Sequence, residues 1–196
     1  MRDLLNKVLY GSSGPQPNDG SQVLTIRPHP QDDKLLFIVP AGAPKEAPPL
    51  YTISKRDSNP SFVCFRGPPA PENTVAMASM HLSTSRIDLS VYNQPMVVKY
   101  RSMSGSWHFD TQMGRFKWKV NPLTGSGFEL NDQAGNKVAK YGSAGLMRIG
   151  EKQLSVYVPG DEFFMVMVLM SAVSAKELAG IISEVVGEVA GGIAGA

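Results

Sequence analysis

The sequence predicts a mainly β fold: a closed antiparallel barrel of about twelve strands around a hydrophobic helix near the C-terminus. Three observations predict it. Short runs rich in β-branched and aromatic residues recur from Gln22 to Val158, punctuated by Gly, Pro, Asn and Asp clusters, at roughly the 8–12-residue spacing of an all-β domain. The greasiest stretch then follows at Phe163–Ala175, "FFMVMVLMSAVSA". The totals are those of one globular domain: 196 residues, 42% hydrophobic, 18% charged, with 15 Pro and 19 Gly to supply turns.

At the N-terminus, "MRDLLNKVLY" sets Leu4, Leu5, Val8 and Leu9 at helical spacing, and "GSSGPQPNDGSQ" is a linker by composition. A short helix and linker are expected over residues 1–21. The segment lacks the unbroken apolar core of a secretory signal. One cysteine, Cys64, excludes an internal disulfide framework and, inside "FVCF", reads as a small core residue. The expectation is an intracellular, cytoplasmic protein.

The barrel is expected over residues 22–175. Its strand candidates are Gln22–Arg27, Lys34–Val39, Leu50–Ser54, Ser61–Arg66, Thr74–Met80, Ser85–Val91 and Met96–Arg101. They continue with Ser106–Asp110, Gly114–Val120, Gly127–Asn131, Lys137–Tyr141, Gly145–Ile149 and Gln153–Val158. The clearest alternation is "RFKWKV", with Phe116, Trp118 and Val120 on one face and Arg115, Lys117 and Lys119 on the other. "GFELNDQAGNKVAKY" then reads as a hairpin that points Phe128 and Leu130 inward.

From Phe163, no charge occurs until Lys176. A bilayer span needs about 20 apolar residues, whereas runs of 10–14 are more often buried core helices. Asp161 and Glu162 precede the run, where carboxylates suit a helix N-terminus. A helix apolar on every side needs protein on every side, and in a chain of strands the surround is a barrel. No transmembrane segment is therefore expected. Beyond Lys176, residues 176–196 form an amphipathic tail. Leu178, Ala179, Ile182, Val186, Val189 and Ile193 share one arc, opposite Glu177, Glu184 and Glu188.

A dozen strands ahead of a hydrophobic helix resembles the tubby C-terminal-like superfamily of tubby proteins, phospholipid scramblases and LURP-one-related proteins. The residues carrying the likeness are "FKWKV", "GFELNDQAGNKVAKY" and "LSVYVPGDEFFMVMVLMSAV". The chain is also similar to uncharacterised, mainly fungal members. The resemblance implies a barrel threaded by its C-terminal helix and a binding role, since tubby domains recognise phosphoinositides through basic surface residues. The segment after Lys176 departs from that pattern.

Charge adds a place for such binding. The net charge of +2 does not argue for nucleic acid. Between Met96 and Lys152, however, nine Lys and Arg face four acids, leaving +5 there and −3 elsewhere. Arg115, Lys117 and Lys119, with Lys137 and Lys140, are the candidates for holding the phosphates of anionic membrane lipids by charge-assisted hydrogen bonds. Alternating Lys is also ordinary on a solvated sheet face. The second reading is a protein-interaction scaffold whose partner docks on Leu178, Ile182, Val186 and Val189.

Catalysis has no motif to support it. His29, His81 and His108 are scattered, without the convergent spacing of metal ligands. His108 and Asp110 share a strand face within reach of each other. "GSAGLMRIG" lacks the Gly-Lys-Ser/Thr end of a P-loop, and no G-x-S-x-G elbow occurs. No cofactor is expected, and an enzyme on a pocket-bearing barrel is the least supported class.

Overall fold

A computed structural model describes residues 21–120, 127–145 and 150–193, with side chains up to residue 184 in the last segment. Strands β1 (Gln22–Pro28), β2 (Leu35–Pro40), β3 (Tyr51–Lys55), β4 (Phe62–Arg66), β5 (Thr74–His81) and β6 (Arg86–Val91) make the first half. The second half is β7 (Gln94–Arg101), β8 (Ser106–Thr111), β9 (Gly114–Val120), β10 (Phe128–Asn131), β11 (Lys137–Ser143) and β12 (Lys152–Val156). Each strand pairs antiparallel with the next, and β1 pairs with β12 to close the barrel. The expected Gly145–Ile149 strand and the expected N-terminal helix lie outside the described residues.

Alternation builds the wall. On β9, Phe116 and Trp118 are buried while Arg115 and Lys119 are exposed, the period-2 split of a sheet with one face in the core. Turn chemistry sets the register. Tyr92 and Asn93 both take positive φ, 47° and 63°, which gives the two-residue I′ geometry that closes β6 onto β7. The β5–β6 and β7–β8 hairpins instead use 3₁₀ turns, Leu82–Thr84 and Ser102–Ser104, each ended by a left-handed residue, Ser85 or Gly105.

Eight strands leave an interior that side chains alone fill, so twelve leave room for a helix about 10–12 Å across. That helix is α1 (Glu162–Ile193), 32 residues and about 48 Å long at 1.5 Å per residue. The buried run and the amphipathic segment expected after it are one continuous helix. The junction explains why: Lys176, Glu177, Leu178 and Ala179 are all strong helix formers, and no Pro or Gly interrupts them. Every residue from Phe164 to Ala175 is buried, and Leu178 is buried again beyond the exposed Lys176. Glu162–Glu184 is long and apolar enough to cross a membrane, but 67% of its most apolar window is buried inside the barrel.

Packing and polar contacts fix the helix inside the wall. Met165, Met167 and Met170, unbranched and adaptable, sit in one core with Trp107, Trp118, Phe109, Phe62, Ile38 and Leu154. Asp161 Oδ1 accepts the Phe164 backbone N–H at 2.9 Å, an N-cap. Glu162 accepts hydrogen bonds from Arg66 and from the Tyr51 hydroxyl. Halfway along, the buried indole of Trp118 donates to Ser171 Oγ at 3.0 Å, and that hydroxyl donates to the Val168 carbonyl at 3.1 Å. Further on, Lys55 Nζ lies 3.3 Å from the Glu177 carboxylate. Cys64 is fully buried, and burial pushes its thiol up to about 12.

Candidate anion-binding face and barrel mouth

Strand register turns scattered basic residues into rows on the outer wall. Arg86 is opposite Lys99, Lys99 opposite His108, and His108 opposite Lys117. The row continues through Asn131 to Lys137. A second row runs Arg101, Ser106, Lys119, Glu129 and Lys140. Neighbouring strands lie about 4.8 Å apart, so Lys99, His108 and Lys117 are packed closely on one face. Lys99, Lys117, Arg101 and Lys119 have no acid partner among the described residues.

The five residues expected from sequence divide. All are on the outer wall of β9 and β11. Arg115 is ion-paired with Asp110 at 2.8 Å, and Lys137 with Glu129 at 2.8 Å. Lys140 is opposite that same Glu129. Lys117 and Lys119 keep their charge open to a ligand. Lys137 and Lys140, three apart, would point to opposite faces of a regular strand. A bulge opposite Leu130 and Asn131 adds one residue and brings both outward.

Lys99 and Arg101 on β7 join this face through register, which strand assignment alone does not give. The signal was present in "VVKYR", where both share one parity of a strand. Their alignment with β9, through β8, is a matter of register.

His108 reports the field of this face. Its imidazole pKa is lowered below the ordinary 6.5, first by burial and then by the charges of Arg101, Lys117 and Arg115, with Asp110 opposing. It does not pair with Asp110, which is taken by Arg115. Its Nε2 instead lies 2.8 Å from Ser106 Oγ, and Ser104 Oγ is 2.6 Å from that same hydroxyl. The Ser–His contact resembles a nucleophile and its base, but Ser106 has no exposed surface and no carboxylate orients the ring. It is a positioned imidazole on a basic wall.

Helix α1 leaves the barrel among the hairpins β1–β2, β3–β4, β5–β6 and β7–β8, and cavities flank it there. One of about 420 Å³ has Lys55, Lys152, Lys176, Glu177 and Glu184 around its rim. On the other side an apolar cleft of about 280 Å³ is lined by Tyr100, Trp107, Val120, Phe128, Ala179 and Ile182. Lys176 Nζ stands 5.6 Å from the Phe128 ring centre, a cation–π contact. The proposed partner stripe is divided by this mouth. Leu178 is 1% exposed and belongs to the core, and Ile182 is half-buried against it. The side chains of Val186 and Val189 lie outside the described residues.

No protein-family model and no curated protein sequence matches this chain. A protein of Arabidopsis thaliana solved by X-ray crystallography aligns at a TM-score of 0.30 and 13% identity, over 79% of this chain and 91% of that one. A score that low carries no argument, and the barrel rests on its own strand pairings.

Proposed function

We propose that this protein is a non-catalytic binding module for anionic phospholipid headgroups, phosphoinositides included, at a cytoplasmic membrane surface. The observation that carries the proposal is the Lys99–His108–Lys117 row with Arg101 and Lys119 beside it. Four cations without an ion pair among the described residues, on β7 and β9 either side of β8, offer several donors to one phosphate-bearing headgroup, and charge-assisted hydrogen bonds are about twice as strong as neutral ones. The neutral imidazole and the Ser104 hydroxyl add polar contacts that carry no repulsion. The resemblance of "FKWKV" and "GFELNDQAGNKVAKY" to the tubby C-terminal-like superfamily supports the same reading. A scaffold role for the helix stripe has less surface to work with, because Leu178 is already core.

Co-sedimentation with phosphatidylcholine vesicles, with and without a phosphoinositide, tests it. Wild type is expected to pellet only with the anionic vesicles. Each basic residue near an anionic surface contributes about 1 kcal/mol, so Lys99→Glu/Lys117→Glu/Lys119→Glu is expected to abolish pelleting. A soluble inositol phosphate arm separates headgroup recognition from general attraction to a charged bilayer. The His108 proton titration supplies a second readout: a bound phosphate offsets the neighbouring cations, so its midpoint should move up. Wild type that ignores every vesicle rejects the proposal.

A further inference from the structure

We infer that the barrel docks obliquely on an anionic bilayer, sinking the tips of the β5–β6 and β7–β8 hairpins into the interface. This rests on the headgroup-binding reading and adds which part of the molecule enters the membrane.

Two adjacent turns carry the argument. Leu82 is 46% exposed, and Met103 is fully exposed at 103%. An exposed large apolar side chain is unremarkable singly, but these two cap neighbouring hairpins of identical construction, each a 3₁₀ turn closed by a left-handed residue. The turns, "LSTS" and "SMSG", hold no charge, so neither resists entering the headgroup layer. Directly behind them come Arg86, Lys99, Arg101 and Lys119. Apolar tips ahead of a basic belt are what an anionic interface selects. The acid of this sector, Asp88, is already bound to Arg86 at 2.6 Å and His81 at 3.0 Å.

The opposite end of the barrel lacks this combination. Met113 there is also exposed, at 48%, but the pocket beside it is lined by Asp110 and Asp161, and Glu162 starts the helix nearby. Exposed apolar surface occurs at both ends; among the described residues the β5–β8 end backs it with three cations free of ion pairs, Lys99, Arg101 and Lys119, whereas the other end has Lys45 in the β2–β3 connection. Helix α1 fits the orientation too. It turns Ala179, Ile182 and Ser183 toward the Tyr100–Trp107 sector, while Glu177 faces Lys55 on β3, four strands round from β7. The cleft under the Met103 turn then opens toward the acyl region.

Cys64 is the one cysteine and is fully buried, so an introduced cysteine takes a thiol-reactive fluorophore selectively. Met103→Cys and Met113→Cys in the full chain would carry a polarity-sensitive dye onto phosphatidylcholine vesicles containing phosphatidylserine. The label at 103 is expected to shift to an apolar signature on binding, and the label at 113 is expected to stay solvent-like. Leu82→Ser/Met103→Ser should weaken vesicle binding about tenfold or more, the usual scale for two apolar side chains returned to water, with an unchanged thermal midpoint. Bound protein with a solvent-like label at 103, or with the shift at 113, overturns this docking and leaves the basic-face reading standing. Wild type that binds no vesicle removes both.

Discussion

The two ends of helix α1 are built on opposite plans. At its start, Asp161 caps the backbone, Glu162 is held by Arg66 and Tyr51, and the Phe164 ring lies against Gly160. At its exit, one ion pair to Lys55 and one cation–π contact are surrounded by cavities of about 420 and 280 Å³. A cavity of about 540 Å³ also lies beside Asp161 and Phe163 at the start, but the polar contacts there set the depth and rotation of the helix; the exit has fewer such contacts and lies near cations without an ion pair among the described residues. Stability and binding are thereby assigned to different places. Changes at the start and middle of the helix should read out in unfolding, and changes at the exit in ligand affinity.

The largest effect is expected at the mid-helix anchor. Trp118→Ala removes a fully buried indole and leaves Ser171 Oγ without its donor. Loss of a buried Trp or Phe costs about 3–5 kcal/mol, so urea unfolding should show a midpoint lowered to match. A cost under about 1 kcal/mol would mean that the helix is not seated by this contact. Next comes Gly160→Ala. A Cβ there would stand 2.4 Å from Phe164 Cδ1, so the ring that seals the entry must move. Overpacking of this kind costs about 1–3 kcal/mol, and the same unfolding curves measure it.

Much of this contrast is written in local sequence, and part of it is not. The barrel follows from strand periodicity, and the enclosed helix from a run too short to span lipid yet apolar all round. "RFKWKV" places Lys117 and Lys119 outward without further help. What a single strand cannot show is its neighbour's register. Whether Arg115 is free or paired depends on Asp110 sitting opposite it, and the outward turn of both Lys137 and Lys140 depends on a bulge. Lys99 and Arg101 join the site only because β8 carries small and neutral side chains, Ser106 and His108, between two basic strands. Helix continuity past Ala175 was masked by a change in polarity, which marks the barrel mouth and not a helix end.

The smallest expected effect sharpens the comparison most. Glu162 is pushed upward by burial, but hydrogen bonds from Arg66, Tyr92 and Tyr51 and the Arg66 charge outweigh that, leaving its pKa below the ordinary 4.5. A carboxyl depressed in the folded state contributes stability that is present above 4.5 and lost as pH falls through the folded value. The Glu162 side chain is 39% exposed and that of Arg66 57%, so solvent screening holds the contribution to under about 1 kcal/mol. Glu162→Gln should therefore lower the thermal midpoint slightly at neutral pH and flatten the acid limb of the stability curve. Vesicle binding should be untouched, because Lys99, Lys117 and Lys119 neither contact Glu162 nor depend on its charge. If the variant weakened vesicle binding as well, the helix would be transmitting its seating from one end to the other, and the division between a structural end and a binding end would fail.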